Sequence, residues 1–307
     1  MMPRFEGRVS FAVGTGRCGT HLLQELLSQE PNVCAVHERG RANEAFHRYC
    51  KWYDLPVDSE GFLQTKECEI GADLAQFRYS HESSAHLSLS IHELFNRFSA
   101  RFVLLTRRPD EVINSYIRKG WYEKPLVWSN SELAPGYQPG MSMDHFMGRL
   151  APIGMQSDWW RKLGRVGKLA WFWNTLNCEV LKQFSTLPAS NCKILRLEDF
   201  DYKEYRNLTR FLGFESELTL SRFRKIADSR PGRLPKVIRV PDWTEKDCLE
   251  FERLVVSMAA EFGYDSRVDS LKLDPREISV FSRGNQRLLD VALRIRERVG
   301  RSWRRKP

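Results

Sequence analysis

The sequence lacks the features that mark membrane-spanning, secreted and disordered chains. No run of apolar residues approaches the roughly 18 that a membrane span needs. The runs that contain only apolar residues are short, such as residues 102–105. Charged residues at positions 4, 6 and 8 interrupt the N-terminus, which therefore has no charged-then-apolar leader pattern. The seven cysteines are scattered and odd in number, which indicates reduced thiols rather than a disulfide framework. With 42% apolar and 28% charged residues, the chain is predicted to be globular and cytoplasmic.

The net positive charge is small outside the C-terminus. Residues 294–307 contain seven basic residues against one glutamate, so they carry +6 of the net +9. The remaining 293 residues carry only +3, which gives no basis for predicting a nucleic-acid partner. Apolar residues recur at helical spacing within residues 288–303, between the arginines. We therefore predict a basic amphipathic tail at residues 271–307, and its contact with an anionic membrane surface, docking on the domain and self-association stay open.

The chain has no internal repeat, and apolar runs alternate with helical patterns. Strands are predicted at 8–13, 33–36, 100–106 and 192–197, and helices at 20–28, 109–119, 165–185, 203–212 and 244–262. This alternation predicts an α/β fold in which helices cover both faces of a central parallel sheet, a three-layer sandwich. We predict one domain at residues 1–270, in which residues 121–160, rich in Trp, Pro and Gly, form a lid or insertion.

A glycine-rich turn joins the first strand to the first helix. Such a turn places backbone N–H groups and a helix N-terminus against an anion, usually a phosphate. Gly14, Gly16 and Gly19 match the dinucleotide fingerprint, and Glu38 follows about where an acid that binds ribose would fall. The spacing also fits an ATP-type P-loop, but there Thr20 replaces the lysine and the next residue is not Ser or Thr.

The run GTGRCGTHLL at residues 14–23 resembles the first loop of sulfotransferases, with Cys18 in place of the usual serine. The resemblance implies a P-loop NTPase-like fold, 3′-phosphoadenylyl sulfate (PAPS) as the donor, and no metal. It is closest to bacterial and tyrosylprotein sulfotransferases, and it spans residues 8–265 with weak stretches at 40–100 and 121–190. The donor-binding residues it implies in this loop are Gly16, Arg17, Cys18, Gly19, Thr20 and His21.

A second pattern favours the sulfotransferase interpretation. Sulfotransferases bind the donor 3′-phosphate with an arginine at a strand end and a serine eight residues later, and Arg107 and Ser115 reproduce that spacing. Arginine can donate two hydrogen bonds to one phosphate, and a nicotinamide-binding domain has no use for this pair. Family members also cover the nucleotide with a late basic loop, so Arg230 and Lys236 are predicted to contact the donor.

Two neighbouring residues are candidates for the catalytic base. In tyrosylprotein sulfotransferases a glutamate 21 residues after the loop arginine is the base, and Arg17 and Glu38 have that spacing. His37 is the alternative, because its ordinary pKa near 6.5 suits proton transfer; cytosolic small-molecule sulfotransferases use a histidine from another segment. The resemblance therefore predicts sulfuryl transfer to a hydroxyl or amine of a glycan, lipid or small molecule, with Arg17 stabilising the leaving phosphate.

The sequence also contains four possible metal ligands and a group of aromatic residues, and two other functions compete with sulfuryl transfer. Cys34, His37, His47 and Cys50 are zinc-ligand types, but the gap between the two pairs is too short for a zinc finger, so we predict no metal site. The aromatic residues of 121–173 either bind the acceptor or pack the lid. The competing functions are an NAD(P)-dependent oxidoreductase with a Rossmann fold and a non-catalytic nucleotide-binding module.

Overall fold

Five strands form one parallel sheet in the part of the chain that the computed structural model describes, residues 5–126, 128–136, 149–229 and 240–272. Their order across the sheet is β2-β3-β1-β4-β5, and every neighbouring pair is parallel. The strands are β1 (Val9–Gly14), β2 (Val33–His37), β3 (Tyr79–Ser83), β4 (Arg101–Thr106) and β5 (Cys192–Arg196). The predicted α/β fold with a central parallel sheet is confirmed.

Helices connect the strands. The first half of the chain contains α1 (Thr20–Leu27), α2 (Arg41–Trp52), α3 (Ser59–Gln76), α4 (Ile91–Phe98) and α5 (Pro109–Arg118). The second half contains α6 (Gln156–Arg161), α7 (Arg165–Phe184), α8 (Tyr202–Leu212), α9 (Leu220–Ser229), α10 (Glu245–Glu261) and α11 (Val268–Lys272). The sequence predicted neither β3 nor helices α2, α3 and α4, all of which lie in the poorly matched stretch 40–100.

Both faces of the sheet are covered, because every residue of β1 is buried. On one face, Ala12 and Val103 belong to a core that also contains Leu23 of α1 and Leu208 of α8. On the other face, the rings of β1 and β4 stack and continue into helices: Phe11 lies 5.7 Å from Phe102 and 6.3 Å from Phe98, and Phe102 lies 6.5 Å from Phe184. Alternate residues of the same strands therefore bury opposite faces, as the three-layer arrangement requires.

The strand order decides between two predicted folds. In a dinucleotide-binding domain β2 lies beside β1. Here β3 lies between them, with Ala12 paired to Ser83 and Ser83 paired in turn to His37. Glu38 therefore follows a strand that is not adjacent to the glycine loop, and the Rossmann interpretation is wrong for this chain. The chain forms β2 and β3 on one side of β1 before it forms β4 and β5 on the other side. The direction of strand addition therefore reverses at β1, and the topological switch point lies at its carboxyl end.

Aromatic rings pack the described part of residues 121–160, the predicted lid or insertion, against α7. Trp160, Trp171 and Trp173 are buried, and Trp160 lies edge-on to Tyr122 and to Trp171 at 5.5 and 5.9 Å. These rings form part of the core rather than an open binding face. Trp121 and Trp128 are partly exposed, and residues 137–148 lie outside the described residues.

The chain divides into two units, residues 1–266 and 267–307. The described part of the second unit contains α11, and residues 273–307, with most of the predicted basic tail, lie outside the described residues. None of the helices in the described ranges is long and apolar enough to cross a membrane. Membrane contact and self-association through the tail stay predictions.

Candidate functional site

The loop between β1 and α1 has an unusual backbone. Gly16, Arg17 and Gly19 all have positive φ angles, of 81°, 58° and 106°. A Cβ atom on Gly16 would collide with the hydroxyl of Tyr116, which donates a 2.6 Å hydrogen bond to the carbonyl of Thr15. Successive residues in left-handed and right-handed conformations form a concave row of N–H groups that binds anions. The backbone of the predicted phosphate loop therefore has a shape suited to binding an anion, and Tyr116 of α5 holds it through this hydrogen bond.

Helix α1 begins directly after this loop. Gly19 is its N-cap and provides no side-chain cap for the first N–H groups of the helix. Those groups and the positive end of the helix dipole therefore face the loop, where an anion is stabilised. Thr20, the first helical residue, is buried and hydrogen-bonds through its hydroxyl to Nε2 of His37 at 3.1 Å. This bond joins the start of α1 to the end of β2.

The two halves of the predicted donor site meet at Arg17. Its Nε atom donates a 2.8 Å hydrogen bond to Oγ of Ser115, and its backbone carbonyl accepts a 3.2 Å bond from Nη1 of Arg107. Arg107 follows β4 and also forms an ion pair with Glu111 on α5. Ser115 is 1% exposed, so its hydroxyl faces the loop and not bulk solvent. Residues about 90 positions apart thus lie together at the carboxyl end of the sheet, where ligands bind in this architecture.

Two other predicted loop residues have different surroundings. Cys18 is fully buried, and desolvation raises the pKa of its thiol to about 11, so only its backbone can meet a ligand. His21 is half-buried, lies 3.5 Å from the carboxylate of Glu25, and its ring centre lies 5.2 Å from that of His37. Arg230 and Lys236 lie outside the described residues, and their role stays a prediction.

Glu38, the predicted base, follows β2 and has a left-handed backbone with φ of 48°. Its side chain is 21% exposed, with Oε2 3.7 Å from Nε of Arg41 and Oε1 3.7 Å from Nε2 of His86. His37 has a different environment: it bonds to Thr20, and burial lowers its pKa although the Glu38 charge acts in the opposite direction. The two candidate bases therefore differ in their partners, and Glu38 is joined to a second histidine.

The sequence analysis missed three nitrogen-bearing side chains around Glu38. His86 is 6% exposed, and burial and the nearby Arg48 cation lower its pKa well below the ordinary value, so the imidazole is neutral. Arg48 is 1% exposed and donates 2.8 Å from Nη1 to the carbonyl of Ala85. Desolvation and the charges of Arg17 and Arg41 lower the pKa of Lys119, and the opposing effect of the Glu38 charge is smaller. Lys119 therefore lies within electrostatic range of both Arg17 and Glu38.

One of the two histidines of the considered zinc quartet, His47, has other partners. His47 is buried, stacks on the ring of Phe62 at 4.0 Å, and hydrogen-bonds to the hydroxyls of Ser90 and Ser59. In the ranges that the structure describes, no group of three or more His, Cys, Asp or Glu side chains could hold a metal ion.

Comparisons with known proteins give sulfotransferase domains. No protein-family model matches the sequence, and no curated protein matches it. Among solved structures, the "Sulfotransferase Domain from the Synechococcus PCC 7002 Olefin Synthase" is 13% identical, with 86% of this chain and 98% of that chain covered and a TM-score of 0.45. The "Sulfotransferase Domain from the Curacin Biosynthetic Pathway" is 14% identical, with 86% and 99% covered and a TM-score of 0.47. Both titles name the family that the two loops of this chain resemble.

Proposed function

We propose that the protein is a sulfotransferase that moves a sulfuryl group from PAPS to a hydroxyl or amine acceptor. One observation carries the proposal: Arg107 and Ser115, spaced as a 3′-phosphate pair, both bond to Arg17 of the glycine loop. A sulfuryl donor with phosphates at both the 5′ and the 3′ position needs an anion site on each side of its ribose. The loop supplies the first site and the Arg107–Ser115 pair the second.

The glycine loop fits the 5′ end of such a donor. Backbone N–H groups and the α1 N-terminus would hold the phosphate, and Arg17 would lie beside the phosphate oxygen that leaves sulfur. The acceptor oxygen or nitrogen forms its bond to sulfur while the bond from sulfur to that phosphate oxygen breaks. Negative charge then grows on the phosphate, and a cation already placed there stabilises the transition state more than the ground state.

The acceptor must lose a proton in this reaction, and we assign Glu38 to receive it. The carboxylate is partly exposed and lies at the same edge of the sheet as the loop. Transfer to a hydroxyl then yields the sulfate ester, adenosine 3′,5′-bisphosphate and a protonated Glu38, which returns its proton to solvent. His37 stays the alternative base, and the identity of the acceptor stays a prediction.

A nucleotide comparison on the full chain tests the proposal. We expect adenosine 3′,5′-bisphosphate to raise the melting temperature well above the shifts produced by AMP, NAD or ATP, because at equal concentration the ligand that binds the native state more tightly stabilises it more. Turnover is measured as release of adenosine 3′,5′-bisphosphate from PAPS, with 4-nitrophenol as the probe acceptor. Equal shifts with adenosine 3′,5′-bisphosphate and AMP would overturn the 3′-phosphate site, and a preference for NAD would overturn the donor class.

A further inference from the structure

A buried cluster of charged side chains lies behind the segment that carries Glu38. Nζ of Lys66, on α3, lies 2.6 Å from Oε1 of Glu44 on α2 and 2.8 Å from Oε2 of Glu82 on β3. The three side chains are 2%, 0% and 5% exposed. No substrate reaches them, and the proposed sulfuryl transfer uses none of them directly.

The two carboxylates also accept hydrogen bonds from the backbone that follows Glu38. The N–H of Arg39 donates to Oε1 of Glu82 at 3.1 Å, and the N–H of Gly40 donates to Oε1 of Glu44 at 2.9 Å. The N–H of Glu38 itself donates to the carbonyl of Ser83 at 3.1 Å. Three consecutive N–H groups are thus fixed, two of them by buried carboxylates.

This anchoring has a conformational reason. Glu38 has a left-handed backbone, which is uncommon for a residue with a side chain and persists only where the surrounding structure imposes it. The backbone conformation decides where the carboxylate points. The acceptors on β3 and α2 fix the backbone on the C-terminal side of Glu38, where the Arg39 guanidinium also bonds to Asp73 of α3.

Stability alone does not account for the cluster. Burying ion pairs carries a desolvation cost, and well-packed apolar residues of the same volume are often equally stabilising or more so. We propose that Glu82 and Glu44 are positioning residues for Glu38, holding its left-handed conformation through the N–H groups of Arg39 and Gly40, while Lys66 donates a hydrogen bond to each of them. The inference rests on the proposed function, in which Glu38 is the base.

The protonation states of the cluster suggest a conservative variant. Burial and the adjacent Glu44 charge raise the pKa of Glu82 to about 8, against the opposing effect of Lys66. Burial also acts on Glu44, but hydrogen bonds from Glu82 and the charge of Lys66 outweigh it and lower its pKa to about 2. At neutral pH Glu82 is therefore the protonated member. Glutamine keeps its shape and the oxygen that accepts from Arg39, while the atom that faces Lys66 becomes an NH2 group.

Amide hydrogen exchange on the full chain tests the positioning directly. In the wild type, the amides of Arg39 and Gly40 should exchange as slowly as those of β3; exchange as fast as that of exposed loop amides would overturn the proposal without any variant. Glu82→Leu removes the acceptor and should accelerate exchange at Arg39 by about tenfold or more, whereas Glu82→Gln should keep most of the protection.

Glu30 provides a matched control, since it is also buried and accepts a backbone hydrogen bond, 2.8 Å from the N–H of Glu217. Glu30→Leu should leave the exchange of residues 38–40 unchanged. If Glu82→Leu and Glu30→Leu give the same exchange pattern, the effect is general destabilisation and the proposal fails.

Turnover separates positioning from donor binding. Glu82→Leu should lower the rate at saturating PAPS at least tenfold, with 4-nitrophenol as the acceptor, while the thermal shift with adenosine 3′,5′-bisphosphate is unchanged, and Glu82→Gln should restore most of that rate. A wild-type rate in Glu82→Leu would overturn the proposal. If the wild type itself neither binds the nucleotide nor turns over PAPS, the proposed function fails, and exchange still shows whether Glu82 fixes the segment.

Discussion

The 3′-phosphate site can be tested through the ion pair that Arg107 already makes. In the structure the guanidinium contacts the carboxylate of Glu111, and the two side chains are 27% and 45% exposed. A bound 3′-phosphate would have to take over the donors that face Glu111. Two opposite substitutions follow: Arg107→Ala removes the cation, and Glu111→Gln removes its competitor.

The magnitudes follow from the exposure of the pair. A charge-assisted hydrogen bond to phosphate contributes about 1.5–3 kcal/mol, while an exposed pair at i,i+4 spacing contributes about 0.3–0.5 kcal/mol. When Arg107 exchanges its ion pair with Glu111 for a bond to phosphate, the net contribution to the binding free energy is therefore about 1–2.5 kcal/mol. Arg107→Ala should weaken binding of adenosine 3′,5′-bisphosphate roughly 5- to 60-fold. Glu111→Gln should tighten it roughly 2- to 5-fold, since it frees the guanidinium and removes a like charge.

Titration calorimetry with adenosine 3′,5′-bisphosphate and with AMP measures both effects. Neither variant should change AMP binding by more than about twofold, because AMP has no 3′-phosphate. In the double variant the gain from Glu111→Gln should shrink to the part that comes from removing a like charge, because there is no guanidinium left to free. Weaker binding of adenosine 3′,5′-bisphosphate by Glu111→Gln, or an equal loss for both nucleotides in Arg107→Ala, would refute the assignment.

The remaining predictions concern the base, the loop and the buried cluster. Glu38→Gln should lower sulfuryl transfer roughly 10²–10⁴-fold and leave nucleotide binding intact, whereas His37→Ala should keep most of the transfer; the reverse result moves the base to His37. Gly19→Ala should cost about 1–3 kcal/mol in urea unfolding, because φ is 106° and the new Cβ would lie 2.7 Å from Leu197; an unchanged midpoint contradicts the loop geometry. The pKa of Glu82 is raised to about 8 in the folded state, so between about pH 4.5 and 8 the folded protein keeps a proton that the unfolded chain has lost. As pH rises through this range, the free energy of unfolding of the wild type should therefore fall, relative to that of Glu82→Gln, by about 1.4 kcal/mol per pH unit. A pH-independent difference would refute that protonation.

The parts of the fold that the sequence predicted share one physical property. Strands β1 and β4 and helices α1, α7 and α10 bury several apolar residues each, and glycines or prolines bound several of them. Their predicted limits agree with the structure within one residue. Burial of apolar side chains leaves a periodic pattern, and that pattern is what a single sequence displays.

Strand β3 could not be predicted, because its burial is polar. Its sequence is Tyr-Ser-His-Glu-Ser, and every residue is buried. The polar side chains are satisfied by distant partners: Ser80 bonds to Asp73 at 2.7 Å, His81 bonds to Ser10 at 2.9 Å, and Glu82 binds Lys66. Such pairing depends on residues that only the folded chain brings together. The same pairing places Lys66 and Asp73 on the buried side of α3, where they interrupt its apolar stripe.

The predictions for the site differ in the same way. Arg17, Arg107 and Ser115 are detectable because their spacing is local to two strand–loop–helix units, and the structure brings these units together. Lys119 follows Ser115 by four residues, so helical spacing was a signal that could have found it. His86 has no such signal, because it lies in a 3₁₀ turn after the strand that the sequence conceals.

Geometry favours Glu38 over both histidines as the proposed base. A base must come within hydrogen-bond reach of the acceptor proton. The side chain of His86 is 7% exposed, and its Nε2 faces Glu38, so the carboxylate lies nearer to solvent on that side. Nε2 of His37 is already in a hydrogen bond with Thr20 at the start of α1. The Glu38 side chain is 21% exposed. Among its described ion-pair partners, Nε of Arg41 and Nε2 of His86 each lie 3.7 Å from one of its oxygens, and this distance is longer than a hydrogen bond. Its carboxylate can therefore accept a proton without first breaking a bond that fixes the fold.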